Sequence, residues 1–145
     1  MNASTRMHLR TLALGGFALL AACASHMPAI GSNVTIGSAP VVLPSPVIAS
    51  SGALPTVLAM HFSSLDVARG GRWSGEFVTG SNVASIEVRT NLFSIDVPRT
   101  QFGRFAFDLN VLDTPPIFVR RYRLRIIARN SAGVKSETDL PFEIR

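Results

Sequence analysis

Arginines at alternate positions give the chain one segment that could bind anions. Side chains two residues apart in an extended strand lie on the same face, so one face of this segment would carry four guanidinium groups: Arg121, Arg123, Arg125 and Arg129. The opposite face would carry Tyr122, Leu124, Ile126 and Ala128. A basic stripe of this kind could bind lipopolysaccharide, a phospholipid or an acidic glycan.

Residues for catalysis or metal binding are sparse. Beyond residue 22 the only histidines are His26 and His61, and no G-x-S-x-G motif is present. A Ser-His-Asp arrangement needs a base that an acid orients, and the sequence offers no such set. Asp108 and Asp113 are single aspartates of the kind that water usually solvates, and phosphate loops and dinucleotide fingerprints are absent. The sequence therefore predicts no enzyme, no metal site and no cofactor.

Two apolar residues are candidates for contact with another protein. Phe118 follows Pro115-Pro116-Ile117 in a predicted loop, and Ile127 interrupts the arginine face. Isolated apolar residues are common on protein surfaces. If these two lay together beside a strand edge, they would mark a partner site.

The single cysteine, Cys23, cannot form an internal disulfide. It follows a segment with the layout of a secretory signal, in which Arg6 and Arg10 precede an apolar run from Leu12 to Leu20. That run is too short to span a bilayer, which takes about 20 apolar residues. Residues 1–22 are therefore predicted to be a signal peptide.

The four residues Leu20-Ala21-Ala22-Cys23 resemble the lipobox of bacterial lipoproteins at every position. The resemblance implies cleavage before Cys23, acylation of Cys23 by palmitate-type chains, and a lipid anchor in the cell envelope. Because Ala24 rather than aspartate follows the cysteine, the resemblance favours the outer membrane. Two alternatives stay open: Ala22-Cys23-Ala24 also fits an ordinary signal-peptidase site, and the segment could be an uncleaved anchor.

Residues 23–55 are predicted to be the lipidated N-terminus and a flexible linker. They are rich in proline, glycine and serine, which disfavour regular structure. The apolar stretches Val41-Val42-Leu43 and Val47-Ile48 exceed what a linker needs. They could dock as an edge strand or contact a partner.

From residue 56 to residue 145, apolar and polar residues alternate in short runs, the pattern of strands with one buried face. The runs predict an all-β domain of about seven strands, which are Val57 to Phe62, Arg72 to Thr79, Val83 to Thr90, Phe93 to Val97, Arg104 to Val111, Tyr122 to Asn130 and Thr138 to Arg145.

The segment from Tyr122 to Gly133 resembles the penultimate strand of fibronectin type III and bacterial Ig-like domains, which often read Tyr-x-Leu-x-Val-x-Ala-x-Asn before a glycine turn. The resemblance implies an immunoglobulin-like β-sandwich in which Tyr122 occupies a tyrosine corner. Two features depart from the pattern. No cross-sheet disulfide is possible, and Trp73 lies on the second predicted strand instead of the third.

The Ig-like arrangement also offers a second interpretation of the arginine face. It would place the third and seventh strands on either side of the sixth, with outward acids at Glu87, Glu137, Asp139 and Glu143. Opposite charges on neighbouring strands stabilise a sheet by about 0.2–1 kcal/mol per pair. Cross-strand pairing is the favoured interpretation, and anion binding is the alternative.

Charge adds little to the choice of partner. The chain has 14 basic and 9 acidic residues, and cleavage before Cys23 would remove two arginines, leaving 12 against 9, or +3. This is too small to indicate nucleic acid as a partner. We expect a lipid-anchored cell-envelope lipoprotein whose non-catalytic Ig-like domain binds an envelope protein. The alternative is a module that binds an anionic glycan or lipid through its arginine face.

Overall fold

A computed structural model describes residues 33–113 and 115–145. Most of these residues lie in β-strands, which are β1 (Val34–Ile36), β2 (Val57–Phe62), β3 (Asp66–Val67), β4 (Arg72–Thr79), β5 (Val83–Arg89), β6 (Ser94–Val97), β7 (Arg99–Gln101), β8 (Arg104–Asn110), β9 (Arg120–Asn130) and β10 (Lys135–Ile144). A single-turn 3₁₀ helix covers Pro116–Phe118.

The strands form two five-stranded sheets, in the orders β1-β2-β4-β8-β7 and β3-β10-β9-β5-β6. Neighbouring strands are antiparallel except at one edge of each sheet, where β1 runs parallel to β2 and β3 runs parallel to β10. The inward side chains of both sheets form one hydrophobic core. The prediction of an all-β fold is confirmed, and the two layers are consistent with a sandwich.

Aromatic residues dominate the centre of this core. The Trp73 ring lies 4.7 Å from the Phe107 ring in its own sheet and 4.9 Å from the Phe142 ring in the opposite sheet, measured between centroids. The Trp73 indole Nε1 donates a hydrogen bond to the carbonyl of Ser64. The nearly complete burial of Trp73 therefore leaves no unpaired donor.

All seven predicted strands are present, with bounds that differ by at most three residues. Three short edge strands, β1, β3 and β7, were not predicted. Each has only two or three residues, so a period of two cannot be read from them.

Residues 33–55, the described part of the predicted linker, make backbone contacts with the rest of the domain. Strand β1 pairs with β2, with Val34 opposite Met60, and Val47 forms an isolated bridge to Gly80. The carbonyl of Pro44 accepts a hydrogen bond from Arg104, and the carbonyl of Ala53 accepts hydrogen bonds from the Asn82 and Asn130 amides. Proline removes a donor but keeps its carbonyl, so a proline-rich segment can still dock as an acceptor.

The apolar stretches Val41-Val42-Leu43 and Val47-Ile48 do not form a strand in the structure. Val47 forms only the single bridge, while Val42 and Ile48 are 99% and 78% exposed. The strand in this part of the chain is β1, earlier than the stretches that suggested one. The predicted signal peptide and Cys23 lie outside the described residues.

Candidate functional site

Each of the four predicted arginines on β9 forms an ion pair with a carboxylate on a neighbouring strand. The shortest N–O distances are 3.0 Å for Arg121–Glu143, 3.6 Å for Arg123–Asp139, 3.0 Å for Arg125–Asp139 and 2.8 Å for Arg129–Glu87. Arg125 also lies 3.4 Å from Glu137. These contacts match the cross-strand interpretation of the arginine face.

The strand register explains these contacts. Strand β10 places Asp139 opposite Arg125 and Glu143 opposite Arg121, because β9 and β10 form an uninterrupted antiparallel ladder. The hydrogen bond from Arg125 to Asp139 and the nearby carboxylates raise the pKa of the Arg125 guanidinium above its ordinary value. Lys135 donates a hydrogen bond to Glu137, which lowers the pKa of that carboxyl.

Glu87 on β5 is the buried member of this network, with 5% of its surface exposed. Its carboxylate accepts a 2.7 Å hydrogen bond from the Ser94 hydroxyl and lies 2.5 Å from Arg89 and 2.8 Å from Arg129. The Ser94 hydrogen bond is the largest cause of a lowered pKa at Glu87, and the two arginines add to it against the opposing effect of burial. Glu87 is therefore a charged, structurally held residue.

Ile127 is not an exposed residue of the arginine face. It is 3% exposed, although it lies outside the core between the sheets. Glu137 and Glu87 are its partners on the two flanking strands. Long charged side chains cover apolar surface with their stems, so the network that neutralises the arginines also encloses Ile127. Because Ile127 is buried, it does not form with Phe118 the exposed apolar patch that would have marked a partner site.

One part of the arginine face differs from the rest, at the start of β9. Strand β5 pairs with β9 only as far as Arg89 opposite Arg125, whereas β10 pairs with β9 down to Arg120. The first residues of β9 therefore border an open notch in the sheet. This arginine notch, a cleft of about 530 Å³, is lined by Arg89, Thr90, Asn91, Arg120, Arg121, Tyr122, Arg123 and Arg125.

Arg120 is the distinctive residue of the arginine notch. Its guanidinium lies over the Tyr122 ring, 5.2 Å from the ring centroid, an arrangement that cation–π attraction favours. Within residues 33–113 and 115–145, no carboxylate forms an ion pair with it. The sequence analysis named four arginines that follow Arg120 on the same strand as candidates. The structure brings Arg120 and Arg89 into the same cleft as three of them.

Phe118 lies at an apolar cavity between the two sheets. This cavity, of about 360 Å³, is lined by Trp73, Leu92, Phe93, Ile95, Leu109, Asn110, Val111, Leu112, Phe118, Phe142 and Ile144. Phe118 is half-buried, while Leu112 and Ile117 beside it are 79% and 76% exposed. The Tyr122 hydroxyl donates a 2.8 Å hydrogen bond to the Phe118 carbonyl and so fixes the 3₁₀ turn against β9.

The apolar cavity exists because two strands leave the gap between the sheets open on one side. Strand β6 is an edge of its sheet, and β7 covers β8 only near Arg104 and Phe105. Ile95 on β6 and Leu109 on β8 point into the gap between the two sheets. Both stay half-buried because no described strand closes the gap beside them. Sequence periodicity assigned Leu109 to the core face and gave no sign that this end of the core is open.

The remaining candidate residues have structural partners. His61 Nδ1 lies 3.0 Å from the Thr35 hydroxyl. Asp108 accepts two hydrogen bonds from Arg72, at 2.6 and 2.5 Å, and these lower its pKa. Asp113 lies 3.7 Å from Arg69. The part of the chain that the structure describes holds no cluster of three potential metal ligands and no helix long and apolar enough to cross a membrane.

Comparison with known proteins gives no identification: no protein-family model matches the sequence, and a search of curated proteins finds no significant match.

Proposed function

We propose that this chain is a bacterial lipoprotein that holds a non-catalytic Ig-like interaction domain at the cell envelope. Lipidation of Cys23 is supported by the match of Leu20-Ala21-Ala22-Cys23 to the lipobox and by the signal-like layout before it. The outer membrane is the favoured location because Ala24 follows the cysteine.

The Ig-like assignment is supported by the strand order. The orders β2-β4-β8-β7 and β10-β9-β5-β6 correspond to the A-B-E-D and G-F-C-C′ sheets of the immunoglobulin fold, in the same chain order. Tyr122 lies at the start of the strand equivalent to F, and its hydroxyl bonds to backbone four residues upstream, as a tyrosine corner does.

The proposal of a protein partner rests on the exposed edge of β1. Among the described strands, four form sheet edges. Three of them, β3, β6 and β7, contain Asp66, Asp96 and Arg99, charges of the kind that protect an edge from pairing. Strand β1 reads Val34-Thr35-Ile36, has no charge, and leaves Ile36 48% exposed. An uncharged open edge is suited to the addition of a partner strand.

The hydrogen-bond pattern of β1 defines which backbone groups a partner would use. The Asn33 carbonyl and the Gly37 amide bond to β2. Backbone direction alternates along a strand, so the amides and carbonyls of Val34 and Ile36 point away from β2. Val34 is eleven residues from Cys23. A fully extended chain of that length is at most about 40 Å long. The proposed partner edge would therefore lie close to the membrane.

A backbone substitution tests this edge. Ile36→Pro removes an outward amide but no bond to β2, while the matched control Ile36→Ala keeps the amide. In cells with a photo-crosslinking residue at the exposed position of Thr35, we expect an envelope protein to be captured by the parent and by Ile36→Ala but not by Ile36→Pro. Capture that Ile36→Pro leaves unchanged, with the fold intact by urea unfolding, would contradict strand addition.

The anchor has its own test. Radioactive palmitate should label the wild-type protein and should not label Cys23→Ala. Label retained by Cys23→Ala would refute the lipid anchor and leave the β1 proposal to stand or fall on its own experiment.

The second candidate function, binding of an anionic glycan or lipid through Arg121, Arg123, Arg125 and Arg129, is less well supported. Each of these guanidinium groups already faces a carboxylate within 3.6 Å. An anion on this stripe would compete with those carboxylates. A purified domain that bound anionic glycans, and lost that binding steeply with salt, would favour this alternative.

A further inference from the structure

The arginine notch and the apolar cavity lie at the same end of the sandwich. The turn between β5 and β6 separates them: its residues Thr90 and Asn91 line the notch, and the next two, Leu92 and Phe93, line the cavity. On the other side of the notch, Arg120 pairs across the sheet with Ile144, which lines the cavity. The arginine notch and the apolar cavity are thus separated by the turn between β5 and β6 alone.

The two sites have complementary chemistry. Five of the eight residues that line the notch are arginines, and none is acidic. Arg121 and Arg123 keep 86% and 69% of their side-chain surface exposed despite their ion pairs, so most of their N–H donors face solvent. The cavity lining is apolar except for Asn110. Its volume lies within the range of small-molecule sites, about 300–1,000 Å³.

We propose that this composite site binds a single anionic lipid. The phosphate of the headgroup would lie in the arginine notch, where no carboxylate of the described residues forms an ion pair with Arg120. Guanidinium groups are well suited to binding phosphate. An acyl chain would pass the turn between β5 and β6 and enter the apolar cavity, close to the buried Trp73 ring. The site is independent of the proposed protein contact at β1. It shares Arg121, Arg123 and Arg125 with the second candidate function but depends on Arg120 and on the apolar cavity, which that candidate does not use.

Trp73 provides the readout, because it is the only tryptophan and lines the apolar cavity. The probes are a short-chain phosphatidylglycerol and the matching phosphatidylcholine, each brominated on its chain and used as monomers. The protein is the full chain with Cys23→Ala, so that no acyl anchor competes. We expect saturable quenching by phosphatidylglycerol, with an affinity about tenfold or more above that for phosphatidylcholine. Both lipids carry a phosphate, but the trimethylammonium group of phosphatidylcholine cancels its charge and is repelled by the five arginines of the notch.

Variants separate the two halves of the site. Arg120→Ser with Arg121→Ser should weaken phosphatidylglycerol binding about tenfold and phosphatidylcholine binding less, because the notch favours the lipid with a net negative charge. The matched control Arg104→Ser, on the other sheet, should leave both unchanged. Val111→Phe, which narrows the cavity, should reduce quenching by both lipids.

Three results would overturn the proposal. Equal affinity for the two lipids, or wild-type affinity in the double arginine variant, would remove the role of the notch. Full competition by glycerol 3-phosphate with no loss in Val111→Phe would remove the role of the cavity. If a crosslinker at Leu112 captures a protein in cells and neither lipid quenches Trp73, the occupant is a protein. None of these results affects the test of Ile36 on β1.

Discussion

Replacing Glu87 by glutamine tests whether the charge network on β9 holds β5 and β9 together. Glutamine keeps the shape of the side chain and an oxygen that can accept the Ser94 hydrogen bond. It removes the negative charge from between Arg89 and Arg129, which lie 2.5 and 2.8 Å from the carboxylate. The substitution therefore isolates the charge from the packing.

The expected loss follows from the burial of the partners. Removing one member of a fully buried ion pair costs about 3–5 kcal/mol, and an exposed pair is worth about 0.2–1 kcal/mol. Glu87 has 7% of its side chain exposed, but Arg89 and Arg129 have 54% and 35% exposed and can regain water. We expect Glu87→Gln to lower the free energy of unfolding by about 2 kcal/mol.

Urea unfolding followed by Trp73 fluorescence measures this loss. With a denaturant slope of about 1–3 kcal/mol per molar, the midpoint should fall by roughly 0.7–2 M. The matched control is Glu76→Gln, because Glu76 is an exposed acid on β4 in the other sheet. A surface substitution of this kind should change stability by no more than about 0.5 kcal/mol.

The pH dependence gives an independent check. The folded pKa of Glu87 is lowered from the ordinary value of 4.5, so the unfolded state takes up the proton first as the pH falls. The stabilisation is complete well above pH 4.5 and is lost as the pH falls through the lower folded pKa. The difference between wild type and Glu87→Gln should therefore be largest at pH 7 and shrink below pH 4.5. A difference under 0.5 kcal/mol at pH 7, or one that persists unchanged in acid, would refute the role of the charge.

Three further substitutions test the core and the turns, each by urea unfolding. Gly75→Ala should lower the free energy of unfolding by about 1–3 kcal/mol, because a Cβ there would lie 2.5 Å from a ring carbon of Phe107. The control Gly52→Ala, with open space around it, should leave stability unchanged. Equal effects of the two substitutions would contradict the close packing at Gly75. Asn130→Ala should cost roughly 2–3 kcal/mol, because the buried amide makes four hydrogen bonds to backbone groups; a loss under 1 kcal/mol would argue against its bracing role. Tyr122→Phe should cost about 1 kcal/mol by removing the hydrogen bond to the 3₁₀ turn, and no change would show that this bond does not contribute.

Much of the fold followed from the period of two in the sequence. Alternation placed Trp73 and Phe77 on one inward face and Phe105 and Phe107 on another, and all four are buried. The period is decisive because a strand with one dry face must alternate, whatever its neighbours are.

The ion pairs of β9 were also foreseeable from sequence, once the order of three strands was assumed. Odd-numbered arginines on one strand and acids on the two flanking strands can only meet on the outward face. The contacts of Arg125 with Asp139 and of Arg129 with Glu87 follow from that arrangement. The sequence could not show that Ile127 would be enclosed by the same network, since burial on an outer face depends on how long side chains fold over it.

The tertiary structure alone determined the features from which the new site and the partner edge were inferred. Residues 33–55 dock through backbone carbonyls and amides, which are the same in every residue and leave no mark in composition. The arginine notch exists because β5 ends opposite Arg125 while β9 continues to Arg120. The apolar cavity exists because no described strand covers β6 and β8 at that end. Such features depend on which strands are neighbours and where each one stops, and residues far apart in the chain decide both together.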